Sequence, residues 1–89
     1  MKVKFFGNIR DITGTKEIQI NGAASLRQLL QQLCDKYGKT FNEKVYKDNN
    51  ITGEVIILVN GRNVYFTGGI ETALSKDDEV SIFPIVAGG

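Results

Sequence analysis

Hydrophobic and polar residues alternate from the start of the chain. In KVKFF, residues 2 to 6, Val3 and Phe5 point one way and Lys2, Lys4 and Phe6 the other, which is the period of a half-buried strand. DITGTK reads as a glycine-centred turn, and KEIQI, residues 16 to 20, alternates again with Ile18 and Ile20 on one face. Two strands joined by a tight loop predict a hairpin. The period changes after NGAAS, where Leu26, Leu29, Leu30, Leu33 and Tyr37 fall at helical spacing. Ser25 suits the N-cap of that helix and Gly38 its C-cap. KTFNEKVYKDNN predicts a second, shorter helical turn around Phe41 and Val45, broken by DNN.

The β-signal is densest in EVIILVNGRNVYF, residues 54 to 66. Val55 to Val59 predict a central strand, and Asn60-Gly61 is the dipeptide that best fits a type I′ hairpin turn. In ETAL, Leu74 is expected to make one buried contact; SKDD turns the chain, and EVSIFPI, residues 79 to 85, is the last strand. The order β-β-α-β-β, with a short helical excursion before the last strand, predicts an α+β fold. Its arrangement is the ubiquitin-like β-grasp, a mixed sheet with one main helix across one face. The other face is left open to water or to partners.

A chain of 89 residues supports one core and no second lobe. Residues 1 to 84 are read as the β-grasp domain and residues 85 to 89 as a flexible C-terminal Gly-Gly tail. The net charge of +1 arises from 11 basic and 10 acidic side chains scattered along the chain, which argues against nucleic acid and anionic membrane as partners. No apolar run approaches the roughly 20 residues a membrane helix needs. A single cysteine, Cys34, and an N-terminus that turns polar early predict a cytoplasmic protein.

With no histidine and one cysteine, the chain cannot assemble a Cys/His zinc cluster, a Ser-His-Asp triad or a Cys-His pair. No metal site and no bound cofactor are expected. If the protein takes part in a reaction, its own side chains are not expected to catalyse it.

Alternation sorts the last strand into two faces. If Val80 and Ile82 point to the helix, then Ser81, Phe83 and Ile85 point to the open face, where Phe6 also emerges. These apolar groups either form a patch that wants a partner or lie under the loop at 38–53. Pro84 cannot donate a ladder hydrogen bond, so pairing is expected to weaken there and the rest to peel away. From Ile85 to Gly89 the chain could reach about 17 Å from the body. Gly88 and Gly89 carry no Cβ, so they fit a channel too narrow for side chains and leave an unshielded α-carboxylate. Such a carboxylate becomes an acyl donor after activation, most simply by ATP to an acyl-adenylate.

KFFGNIRDITGT at residues 4 to 15, the single long helix, LVNG at 58 to 61 and DDEVSIFPIVAGG at 77 to 89 together resemble one family. The chain is similar to the ubiquitin-like sulfur carriers, most of all to the small subunits of molybdopterin synthase. That family also includes thiamine-pathway sulfur carriers and small archaeal ubiquitin-like modifiers. The resemblance implies that Gly89 is adenylated by an E1-like partner using ATP and converted to a thiocarboxylate with sulfur from a donor protein. The tail, Val86, Ala87, Gly88 and Gly89, would then enter the large catalytic subunit of molybdopterin synthase. There the sulfur would build the dithiolene that holds molybdenum or tungsten.

The same resemblance implies that Phe83, the aromatic just before the proline, packs against the partner subunit; Phe6 and Ile85, which alternation sets on the same face, and Pro84 are the further partner-binding candidates. Arg10 matches a basic position that contacts the activating enzyme, although on sequence grounds a solvated arginine beside Asp11 reads equally well. One departure stands out. The family often reads Phe-Pro-Pro, whereas this chain reads Phe83-Pro84-Ile85, without the second proline that would stiffen the base of the tail. The alternatives are a modifier joined through Gly89 to target lysines, a sulfur carrier for thiamine or another thio-metabolite, and an interaction domain that uses the open face alone.

Three further signals carry less. Asn50-Ile51-Thr52 has the glycosylation pattern, but a cytoplasmic chain does not meet that machinery. Asp77, Asp78 and Glu79 alternate in direction and mark a solvated turn. Cys34, one turn after Leu30, reads as a small hydrophobe at the edge of the helix's buried face.

Overall fold

Lys2–Phe5 form strand β1, in which Val3 and Phe5 are buried and the two lysines face the other way. The computed structural model describes residues 1–85 of the chain. After Phe6 the chain does not make the tight turn expected from DITGTK; Gly7–Thr13 form a helix, α1. Ile9 and Ile12 lie three apart on its inner side, and Ile9 is fully buried. The glycine that reads as the centre of a turn, Gly14, is instead the left-handed C-cap of α1, with φ 74° and its N–H donating to the Arg10 carbonyl at 2.8 Å. Strand β2, Glu17–Gln19, then returns antiparallel to β1, so the expected pairing holds around a helical connection.

Helix α2, Leu26–Tyr37, starts where Ser25 accepts a hydrogen bond from the Gln28 N–H and ends at Gly38. Leu26, Leu29, Leu30 and Leu33 are all fully buried, each contributing roughly 1.5–3 kcal/mol of burial energy. They pack in one cluster with Val3, Phe5, Ile57, Val80 and Ile82. The second helical segment is α3, Lys39–Val45, with Phe41 and Val45 fully buried. The helix ends ahead of DNN, at Val45, where Tyr46 turns extended, and DNN lies instead in a small antiparallel hairpin of β3, Tyr46–Lys47, and β4, Asn50–Ile51. Asp48 and Asn49 take positive φ at its turn, a conformation short polar side chains tolerate.

Val55–Val59 form β5, and Asn60 and Gly61, both at positive φ, turn it into β6, Arg62–Asn63. Two short 3₁₀ turns, Val64–Phe66 and Gly69–Glu71, precede β7, Glu79–Pro84. The main sheet runs β2-β1-β7-β5-β6, with β7 parallel to β1 and antiparallel to β5. This is the expected α+β, ubiquitin-like β-grasp with a mixed sheet. β7 is the middle strand, and β5, paired with β7 on one side and β6 on the other, is an interior strand as expected. β5 reads as an unbroken apolar run because Ile56 and Leu58 lie on the open face, not because both its faces are buried. No helix among the described residues is long and apolar enough to cross a membrane.

Candidate functional site

The open face of the sheet is built around Phe83. Val80 and Ile82 are fully buried on the helix side, so alternation brings Ser81 and Phe83 out on the other. Phe6 is the N-cap of α1 rather than the end of β1, but its extended backbone, φ −127° and ψ 156°, continues the alternation one residue further. Its N–H donates to the Ile82 carbonyl at 3.1 Å, which carries the parallel pairing of β1 and β7 to this point. The Phe6 and Phe83 rings therefore meet, stacked with centroids 4.2 Å apart and planes 11° from parallel. Ile56, directly opposite Phe83 on β5, is 38% exposed, and Ile85 is 46% exposed.

The segment at 38–53 does not cover this patch. Phe41 packs edge-on against Phe5, a core residue, so α3 sits on the helix side of the sheet. Along the strands the apolar surface gives way to an ion pair, Lys4 Nζ to Glu79 Oε1 at 2.8 Å. The hydrogen bond and the charge of Lys4 hold the Glu79 carboxyl below its ordinary range, and Glu79 in turn raises the Lys4 ammonium.

The base of the tail is held more closely than a proline-terminated strand requires. Pro84 lies opposite Val55, and the ladder passes it: the Ile85 N–H donates to the Glu54 carbonyl at 2.9 Å. Pairing thus extends one hydrogen bond beyond the proline, a correction to the expectation that it weakens there. Gly7, at φ +55°, lies so close that a Cβ on it would sit 2.7 Å from Pro84 Cγ. Val86, Ala87, Gly88 and Gly89 lie outside the described residues. Arg10 is exposed in the last turn of α1, forms no ion pair among the described residues, and lines a shallow polar depression with Thr15 and Glu17.

The family model for the ThiS family matches residues 3–89. The chain belongs to the ThiS family. Among relatives of this ThiS-family chain, small archaeal modifier protein 3 of Haloferax volcanii is 33% identical over 91 residues, 100% of this chain and 98% of that one. Sulfur carrier protein CysO of Mycobacterium tuberculosis is 51% identical over 35 residues, 39% of this chain and 38% of that one. The solution structure of small archaeal modifier protein 1 from Methanosarcina acetivorans superposes with a TM-score of 0.84 at 35% identity, covering 99% of this chain and 94% of that one. Sulfur carriers and ubiquitin-like modifiers are thus the relatives of this chain.

The ThiS-family chain also exposes apolar groups that the sequence reading passed over. Ile56 is exposed and Leu58 half-buried, as alternation within VIILV places them on the face away from the helix. Tyr65 and Phe66 are 81% and 78% exposed on the first 3₁₀ turn, their rings edge to face with centroids 5.2 Å apart. A groove of about 440 Å³ lies between Tyr65 and Ile56 and joins this turn to the sheet face.

Of the acidic run, Asp77 and Asp78 lie in the turn as expected, whereas Glu79 begins β7. Asp78 accepts from the Ser75 N–H at 2.7 Å and from the Asn60 side-chain amide at 2.8 Å. Among the described residues no group of three or more His, Cys, Asp or Glu side chains is placed to hold a metal ion. Cys34 is half-buried with its thiol 3.5 Å from Asn42 Oδ1, and burial, assisted by the charge of Asp35, pushes that thiol up. It is poorly set up as a nucleophile.

Proposed function

We propose that this chain is a sulfur carrier whose Gly89 carboxylate is the reacting group, acting in the cytoplasm with catalytic partners. The observation that carries this reading is the stacked Phe6–Phe83 pair at the root of the tail, an apolar docking surface immediately beside the point where the chain leaves the sheet. Membership of a family of sulfur carriers and modifiers supports it. In the first step a Gly89 carboxylate oxygen attacks the α-phosphorus of ATP on an E1-like enzyme, forming the acyl-adenylate and releasing pyrophosphate. Hydrosulfide delivered by a sulfur donor protein then forms a C–S bond as the C–O bond to AMP breaks, which leaves the thiocarboxylate. In our reading the acceptor is the large catalytic subunit of molybdopterin synthase, and the carrier itself binds no cofactor.

The role of this chain's residues is to dock and to present. Phe83, Phe6, Ile85 and Pro84 supply the contact, Arg10 an exposed charge on α1 for the activating enzyme, and Gly88 and Gly89 a stretch without side chains for a narrow active site. Removing Gly88 and Gly89 is expected to abolish ATP-dependent activation and leave the unfolding transition unchanged. Full activity of that truncated chain would return the protein to the class of plain interaction domains.

A second reading is favoured by the full-length similarity to small archaeal modifier protein 3. There the activated glycine forms an isopeptide bond with a lysine of another protein. Recovery of branched Gly-Gly on target lysines supports the modifier, and co-purification with a pterin-binding subunit supports the synthase.

A further inference from the structure

We infer that Gly7 and the Glu54 backbone carbonyl are positioning groups for the C-terminal tail, clamping Pro84 and Ile85 so that the chain leaves the sheet in one fixed direction. This inference rests on the proposed use of the tail as the reacting arm.

Three successive residues at the base of the tail are each held by a different contact. Phe83 is stacked on Phe6 with centroids 4.2 Å apart. The Pro84 ring occupies the space a side chain on residue 7 would need, with Cγ 2.7 Å and Cδ 3.2 Å from the position of a Cβ. Ile85 is tied by its N–H to the Glu54 carbonyl at 2.9 Å. Gly7 contributes twice: its φ of +55° turns the chain from β1 into α1, and its missing side chain admits the proline.

This arrangement accounts for the absence of a second proline. A proline at residue 85 would have no N–H to give, so the bond to Glu54 could not form. Isoleucine keeps the donor and continues the ladder, replacing the stiffness of a second pyrrolidine ring with a hydrogen bond. Whatever follows Ile85 therefore starts from a point fixed relative to the Phe6–Phe83 docking face. A carboxylate delivered from a fixed origin reaches its reacting geometry more often than one delivered from a loose hinge, and misplacement of about 1 Å can cost on the order of 100-fold.

The test combines two readouts on the full chain. Pro84→Ala removes the ring without adding bulk or strain, and Gly7→Ala drives a methyl group into it. Amide hydrogen exchange should find the Ile85 N–H protected at least about tenfold over a free peptide in the natural chain, and unprotected in both variants. With an E1-like activating enzyme and ATP, kcat for adenylation should fall several-fold in both variants, and in Gly7→Ala, which leaves every docking residue in place, KM should stay within about twofold. A variant that merely unfolds would raise KM and lose its thermal transition. Pro84→Ala decides the matter if Gly7→Ala does not fold. Coil-like exchange at Ile85 in the natural chain, or unchanged kcat in a variant with the clamp released, overturns the inference. If the natural chain is not adenylated at all, the proposed function fails, and with it the tail's role as a reacting arm, while the exchange measurement still decides whether the clamp exists.

Discussion

The ring of Phe6 lies parallel to that of Phe83 at 4.2 Å, although one belongs to the cap of a helix and the other to the central strand. Stacked aromatic pairs contribute about 0.5–1.5 kcal/mol beyond their buried area. A double-mutant cycle of Phe6→Ala and Phe83→Ala in urea unfolding should return a coupling energy in that range. Additivity within about 0.3 kcal/mol would show that the rings touch without stabilising each other. In calorimetric titrations with the partner, Phe83→Ala should cost about 2–4 kcal/mol of affinity, as expected of a central aromatic anchor. Unchanged affinity would move the docking surface elsewhere.

Phe41 is fully buried in the cluster formed with Phe5 and Tyr37. Phe41→Ala should therefore lower the unfolding free energy by about 3–5 kcal/mol with an unchanged m-value. Tyr65→Ala and Phe66→Ala, at side chains mostly in water, should each stay within about 0.5 kcal/mol of the natural chain. The contrast separates the segment that builds the core from the turn that faces outward.

Glu79 supplies the pH dependence. Its carboxyl is lowered in the folded state by Lys4, so the stabilisation is complete above the ordinary glutamate range and is lost as pH falls through the depressed folded value. Carboxyl NMR titration should place Glu79 below an unperturbed glutamate, and Lys4→Met should bring it back up. A Glu79 that titrates normally in the natural chain would mean that the ion pair does not persist in solution.

Cys34 should react slowly. Burial and the neighbouring Asp35 raise its thiol, so at neutral pH less of it is thiolate than in a free cysteine. Alkylation by iodoacetamide should be slower than for a cysteine in an unstructured peptide and should reach the peptide rate in denaturant. Equal rates in the folded chain would contradict the half-buried placement.

Much of this molecule is legible where one short stretch carries several agreeing signals. Ser25, the leucines of α2 and Gly38 mark a helix at its start, its face and its end, and Asn60-Gly61 marks its hairpin in the same way. The faces of β7 follow from alternation alone, which is how Phe83, Phe6 and Ile85 could be placed together. Other features depend on what meets in space. Gly14 reads as a turn until Ile9 finds the core and makes the preceding residues a helix. The contact of Gly7 with Pro84 joins opposite ends of the chain, and neither residue carries a local sign of the other.

Intact mass spectrometry of the protein after incubation with its activating enzyme, ATP and a sulfur source tests the central claim most directly. The account predicts that one oxygen at the C-terminus is replaced by one sulfur, and that the chain lacking Gly88 and Gly89 shows no such change. A mass that never changes in the presence of competent partners would contradict it.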